Sequence, residues 1–540
     1  MTLNYRSPLG IPLELAANFG EIRPDHFHMG VDFKTNGKEG LTLYAIERGF
    51  VSRVKISPDG YGKSIYIDHP DGRTSVYAHC SVLKGRIDSL VKVIQTEQQN
   101  FEVDIYLRPT DLPIIKGQVI ALSGNTGHSF APHLHFEIRD TKTEDALNPL
   151  LFGFNVPDHK KPEIHGMRIY ALSDEGYLIP GKSMKVELNF NGKNYVSNPE
   201  TIEVPANFFD YGPIGIAFET SDHFDRGMNT CGIYEAHLRK NGADLFVQRM
   251  DRVSFYETRY VNDHVDYERY NKQNEEWQKA FTSQNNLLKI YKKGNGWIKL
   301  EQGQLAPFEF TVSDNKGNKN MLSFKLKRQE GTNNEVPEKY FTYELNFVPD
   351  SSYSVLNENS VVIIKPHTFY QPTKKKISLG DVIKISTANT PVQLPVEVGF
   401  KIPAEKLQEK GWYISRTKSN GRATSIDSRI NGGWIYGETK AVGNFQLKQD
   451  VSPPNISPKG FDQQQRITQK QLRWSVSELT TELRDYDLFL DNQWYLVEFE
   501  RKGNYLIFNI PASLKGRKTA ELIVLDQCGN KAVWKGSLTF

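Results

Sequence analysis

Short apolar runs cut by Gly, Pro or Asp dominate the first 150 positions. Leu41–Ile46, Gly49–Ile56, Ser64–His69 and Thr74–His79 are punctuated at Pro58–Gly62 and Pro70–Gly72. Runs of this length between turn formers predict an antiparallel sheet. One stretch changes period. Leu83, Ile87, Leu90, Val91 and Ile94 recur at helical spacing, which predicts an amphipathic helix over Arg86–Gln98. Phe101–Leu107 then alternates again, as a strand does.

Beyond residue 155 the same β-rich pattern continues. Residues 156–161 read as a linker. Pro162-Glu-Ile164 opens a region that closes on Asp314-Asn-Lys-Gly317-Asn318, and Pro454-Asn-Ile456 opens another that closes on Asp526-Gln-Cys-Gly529-Asn530. Both endings follow alternating runs, Phe308–Val312 and Glu521–Leu525. Gly and Asn tolerate positive φ, so Asp-x-x-Gly-Asn is a turn composition. It resembles the last hairpin of bacterial immunoglobulin-like sandwiches. The expected fold class is mainly β. A first unit spans 1–155, an immunoglobulin-like sandwich with an insertion 162–330, a β-rich unit 339–450, and a second sandwich 451–540. Residues 331–338 are expected to be a second linker, and Tyr343–Phe347, Ser360–Ile364, Val396–Phe400 and Gly443–Leu447 strands of the third unit. The inserted segment Asp266–Trp277 reads as helical. Its Tyr267, Tyr270 and Trp277 offer either a packing stripe or a sugar-stacking surface, with packing favoured.

Composition adds limits. The chain of 540 residues suits ~3–4 domains. With 38% hydrophobic and 24% charged residues it is a folded protein, not a disordered one. A net charge of +3 gives no basis for nucleic-acid binding. No apolar run approaches the ~20 residues of a membrane span. No export signal is legible from Met1 onward, so Met1 is expected to replace a removed one. Cys80, Cys231 and Cys528 are too few and too scattered for a disulfide framework, and Cys80 is expected to pack.

The chemistry concentrates in three places. His133-x-His135, after the Gly124–Gly127 turn, projects two imidazoles from one face of a strand. His28-x3-Asp32 places a histidine and a carboxylate on one face if extended, with room above Gly30. Val76-Tyr-Ala-His79 ends an apolar run with a further histidine. Two histidines and one carboxylate suit an open zinc site. These three motifs in this order resemble the lysostaphin-type (LytM-like) zinc metalloendopeptidases, over roughly Leu15–Leu150.

The resemblance implies one zinc ion per chain, held by His28, Asp32 and His135. It implies His79 and His133 as the catalytic pair flanking the metal's water, with peptidoglycan peptides as substrate and an extracytoplasmic workplace. It also makes residues of about 82–113 an insertion beside the cleft, with packing slightly favoured over control of access. His26, His69, His128 and His159 are expected to be bystanders. The tyrosine that some relatives place upstream of the first ligand is absent, and Arg23 is the candidate substitute as oxyanion donor. Two other functions compete. One is a non-catalytic wall-binding or hydrolase-activator protein; the other is a zinc peptidase that processes a protein recruited through the β units.

Overall fold

In the computed structural model, which describes residues 5–227, 229–331, 346–386, 390–418, 421–462 and 466–540, the chain is mostly strand. The expected linker 331–338 lies, apart from Gly331, outside the described residues, as do Tyr343–Leu345 of the expected strand there. The first unit is built on strands β1 (Leu15–Ala17), β2 (Val31–Lys34), β3 (Gly49–Ile56), β4 (Lys63–Asp68), β5 (Arg73–Cys80), β6 (Val103–Tyr106) and β7 (His133–Asp140). They lie in the order β1-β2-β7-β5-β4-β3-β6, each pair antiparallel.

Alternation along β7 decides the layers. Leu134, Phe136 and Ile138 are fully buried. Phe136 meets Tyr77 edge-on at 5.3 Å and Phe154 at 5.5 Å between ring centroids. The opposite face carries His133, His135, Glu137 and Arg139. The expected helix is α1 (Gly85–Gln98), which buries Ile87 and Val91 and ends where Gln99 turns left-handed. β6 then pairs with the outer edge of β3. The 82–113 segment therefore packs on the sheet edge.

The second unit forms a mixed ten-stranded sheet folded over its own core. Phe218 stacks on Phe310 across that core. The expected helical segment is Tyr267–Gln273, capped by the Asp266 carboxylate. Trp277 is only 1% exposed and packs beside Gly166, so it is a core residue. Residues 346–450 form two five-stranded sheets around Phe347, Val398 and Phe445, and residues 455–540 two four-stranded sheets around Trp474 and Leu522.

The first unit's core extends into the second unit. Phe224, Met250, Val253, Tyr260, Val261 and Leu288 join the cluster that contains Phe33 and Phe136. Arg252–Val253 even extends the first sheet, pairing with Ala146–Leu147.

Candidate active site

Asp32 on β2 faces His135 on β7 directly across the ladder. Side chains so paired share a face and meet. His28 reaches the same place from a different backbone. It is not on a strand but in the non-strand stretch between His26–Phe27 and β2. Gly30 makes that approach possible: a Cβ there would lie 2.6 Å from the Phe136 carbonyl and 3.0 Å from His135 Cε1.

Three ligand atoms converge. His135 Nδ1 lies 2.9 Å from Asp32 Oδ1, His28 Nε2 lies 3.1 Å from the same oxygen, and the two nitrogens are 3.1 Å apart. Bonds of 2.0–2.1 Å to a tetrahedral ion would set such edges at about 3.3–3.4 Å, so the triangle needs only slight expansion. The outer partners assign the tautomers. His28 Nδ1 donates to the Asn18 carbonyl at 2.8 Å, leaving a lone pair on Nε2. His135 Nε2 donates to Glu137 Oε1 at 2.9 Å, leaving a lone pair on Nδ1. Two imidazole lone pairs and one carboxylate oxygen facing one point fit a zinc ion, with carboxylate and carbonyl partners orienting the ligands.

The buried carboxylates set the electrostatics. Burial alone would raise the Asp32 carboxyl, but His28, His133 and His135 hold it well below the usual range. Burial opposes charge on His135 too, yet hydrogen bonds to Asp32 and Glu137 push it up to about 9, so a metal ion binding at Nδ1 would displace a proton there. Burial also opposes ionisation of Glu137, but Arg139 and His135 pull it down to about 2.

His79 and His133 stand beside the triangle, their ring centroids 4.8 Å apart. His133 Nδ1 donates to the Ala131 carbonyl at 2.8 Å, and its Nε2 lies 3.5 Å from Asp32 Oδ1. His79 Nδ1 donates to the Thr126 carbonyl at 2.8 Å. Each ring is therefore held through its Nδ1. Burial, then the neighbouring His135 and His133, push His79 down to about 3, so it is neutral. Regular alternation would have put His79 on the core face with Tyr77. Instead the β4–β5 register slips and His79 takes φ +58°, which turns its ring to the site.

The model of peptidase family M23 matches residues 26–97. An uncharacterised metalloprotease of Haemophilus influenzae is 36% identical over 131 residues, 24% of this chain and 21% of the relative. Lysostaphin of Staphylococcus simulans is 29% identical over 153 residues, 28% of this chain and 25% of the relative.

The first unit is a peptidase family M23 domain.

The match spans only about a fifth to a quarter of those relatives' length. Among solved structures, the catalytic domain of S. simulans lysostaphin is 27% identical, covering 25% of this chain and 87% of that one, with TM-score 0.18. The catalytic domain of the M23 protein EnpA from Enterococcus faecalis is 22% identical, covering 27% and 94%, with TM-score 0.20.

The M23 domain contains partners that the motifs did not single out. Glu137 and Arg139 continue the period-two pattern of His133 and His135, so that signal was readable. Tyr61 was not: it stacks on His135 at 5.2 Å and its hydroxyl donates to Glu137. The tight contact of Gly127 with Gly62 holds its loop there, since a Cβ on Gly127 would come 2.3 Å from the Gly62 nitrogen. Arg23 pairs with Glu21 at 3.1 Å. Of the expected bystanders, His26 contacts the Pro24 carbonyl, His69 bonds Ser75 and the Arg48 carbonyl, and His159 pairs with Asp225. Cys80 is fully buried in the domain core.

Proposed function

We propose that this chain is a zinc-dependent endopeptidase that hydrolyses peptide bonds of bacterial cell-wall peptidoglycan outside the cytoplasm. The observation that carries the reading is the pairing of two further histidines, His79 and His133, with the convergent donors of His28, Asp32 and His135. A zinc ion held by those donors supplies a Lewis acid that polarises a carbonyl and lowers the pKa of water towards ~7. The Nε2 atoms of His79 and His133 would then take a proton from the attacking water and return it to the leaving amine. Asp32 offsets the metal's charge, while Glu137 and the Asn18 carbonyl hold the ligand imidazoles in the binding tautomer.

The wall substrate rests on the resemblance to lysostaphin-type enzymes. No helix among the described residues is long and apolar enough to cross a membrane. Residues 162–330, 339–450 and 451–540 are, in this reading, immunoglobulin-like or β-rich units that position the M23 domain and offer surfaces to a protein partner.

The test pairs zinc content with digestion of purified peptidoglycan sacculi, for the parent protein and His135→Ala. Zinc-dependent release of soluble muropeptides, lost in the variant, is expected. Bound zinc without release would redirect the reading to a protein substrate. Absence of both would leave a binding or activator protein.

A further inference from the structure

A second cluster of buried acids lies far from the M23 site in sequence, where residues 156–161 join the second unit. Asp158, Asp222 and Asp314 are 6%, 1% and 3% exposed. Each offers a carboxylate oxygen, and these oxygens lie within 4.8 Å of one another. Asp158 comes from the linker, Asp222 follows the strand Ile214–Ser221, and Asp314 opens the Asp-x-x-Gly-Asn turn.

Hydrogen bonds account for most of the oxygens but not all. Asp314 Oδ1 accepts from the backbone N–H groups of Lys316 (2.8 Å) and Asn318 (2.9 Å), and Oδ2 from Asn318 Nδ2 (2.7 Å). Asp222 Oδ1 accepts from the His223 N–H at 2.9 Å. Asp158 Oδ1 accepts from the Lys160 N–H at 3.2 Å. Asp158 Oδ2 is buried with no hydrogen-bond partner. The nearby His159 is engaged elsewhere, with Asp225 at 2.6 Å.

An orphaned oxygen on a carboxylate that is nine-tenths buried, in a cluster with two more buried carboxylates, is costly unless a cation or proton joins it. Burial and then the facing carboxylates push Asp158 up to about 7, and the same two causes act on Asp222.

We propose that Asp158, Asp222 and Asp314 bind one divalent cation of the calcium class, which ties the linker after the M23 domain to the second unit. The donor set is all oxygen, which suits a hard cation and not zinc. Calcium–oxygen bonds of 2.3–2.6 Å allow oxygens on opposite sides to stand about 4.6–5.2 Å apart, which covers the spread seen here. Magnesium, at 2.0–2.1 Å, requires a tighter cage. The cation neutralises the orphaned charge and fixes the linker, and with it the M23 domain, on the second unit. A second group of carboxylates comes together at Asp450, Glu478 and Asp526. There Thr481 Oγ1 lies 3.4 Å from Asp450 Oδ2 and Glu478 is half-buried, so the proposal stays with the first cluster.

The test uses the full chain, stripped of metal and then restored with zinc, and compares the parent with Asp158→Asn. Equilibrium dialysis against radioactive calcium at about 1 mM, in the range of extracellular calcium modules, counts bound ions. The parent is expected to hold one more calcium per chain than Asp158→Asn. Its melting midpoint should rise by about 2–4 °C on adding calcium, a rise that the variant lacks. Without calcium the order inverts, because the variant has lost a repelling charge. Equal calcium in both proteins, or none in the parent, overturns the proposal. So does a parent that is stabilised by acidification to pH 6 yet ignores calcium, since the carboxylates then share only protons. Should Asp158→Asn not fold, Asp222→Asn carries the same expectation.

Discussion

Glu137 governs the most buried corner of the M23 site. Its carboxylate is fully buried, accepts from His135 Nε2 at 2.9 Å and from Arg139 Nε at 2.6 Å, and receives the Tyr61 hydroxyl. One side chain thus sets a ligand tautomer and neutralises a buried guanidinium. Glu137→Gln keeps the shape and removes the charge. It is expected to lower zinc affinity ~10–100-fold, measured by competition with a chelator. It should also destabilise the fold by ~3 kcal/mol in denaturant titration, because Arg139 stays buried without its counterion. The pH dependence follows from the direction of the shift. A carboxyl lowered from 4.5 to about 2 contributes fully above the unfolded value, and that contribution disappears as pH falls through about 2. Stability of the parent should therefore fall between those pH values more steeply than that of Glu137→Gln.

At the scale of elements, two strands do different work. β7 is regular, and its alternation separates a fully buried apolar face from the His133, His135, Glu137 and Arg139 face. β5 is irregular at its end. The register slip and the left-handed His79 turn a ring that alternation would bury in the core into a partner of His133. His79 lies outside the donor triangle and is held through Nδ1 by the Thr126 carbonyl. His79→Ala should accordingly keep its zinc but lose about 10²–10⁴ in kcat. Loss of zinc together with activity would show a role in holding the metal site instead. Many strand positions were legible from periodicity, as was the helix, expected over Arg86–Gln98 and found over Gly85–Gln98. The slip in β5 was not, because nothing in the order Tyr77-Ala-His79-Cys80 marks it.

For the whole molecule, the extension of the first core into the second unit is the main fact. The M23 domain buries Phe27, Phe33 and Phe136 in one cluster with Met250, Val253, Tyr260 and Leu288 of the following unit. Asn18, whose carbonyl holds His28, is itself clamped by Gly232 through bonds of 2.7 and 2.9 Å. The last unit also reaches the site's rim: Glu498 pairs with Lys63 at 2.7 Å, Arg501 with Asp59 at 2.8 Å, and Lys502 donates to the Asn125 carbonyl. A fragment ending at residue 155 would expose one wall of this core. It is expected to unfold without a cooperative transition and to bind a hydrophobic dye, while the full chain melts cooperatively. A fragment as stable as the full chain would show that the shared contacts contribute little.

The sequence by itself determined the mainly β architecture, since period-two runs between Gly, Pro and Asp leave few alternatives. It also singled out His28, Asp32, His79, His133 and His135, because their chemistry is local to three short motifs. Tertiary structure decided what local pattern does not encode. The route by which His28 meets Asp32 and His135 depends on Gly30 passing under β7. The inward turn of His79 depends on a register slip between two strands. The placing of Tyr61 and Asn18, and the reach of the first core into the second unit, depend on contacts between residues up to more than two hundred positions apart. Such contacts follow from how elements pack, and no window along the chain contains both partners.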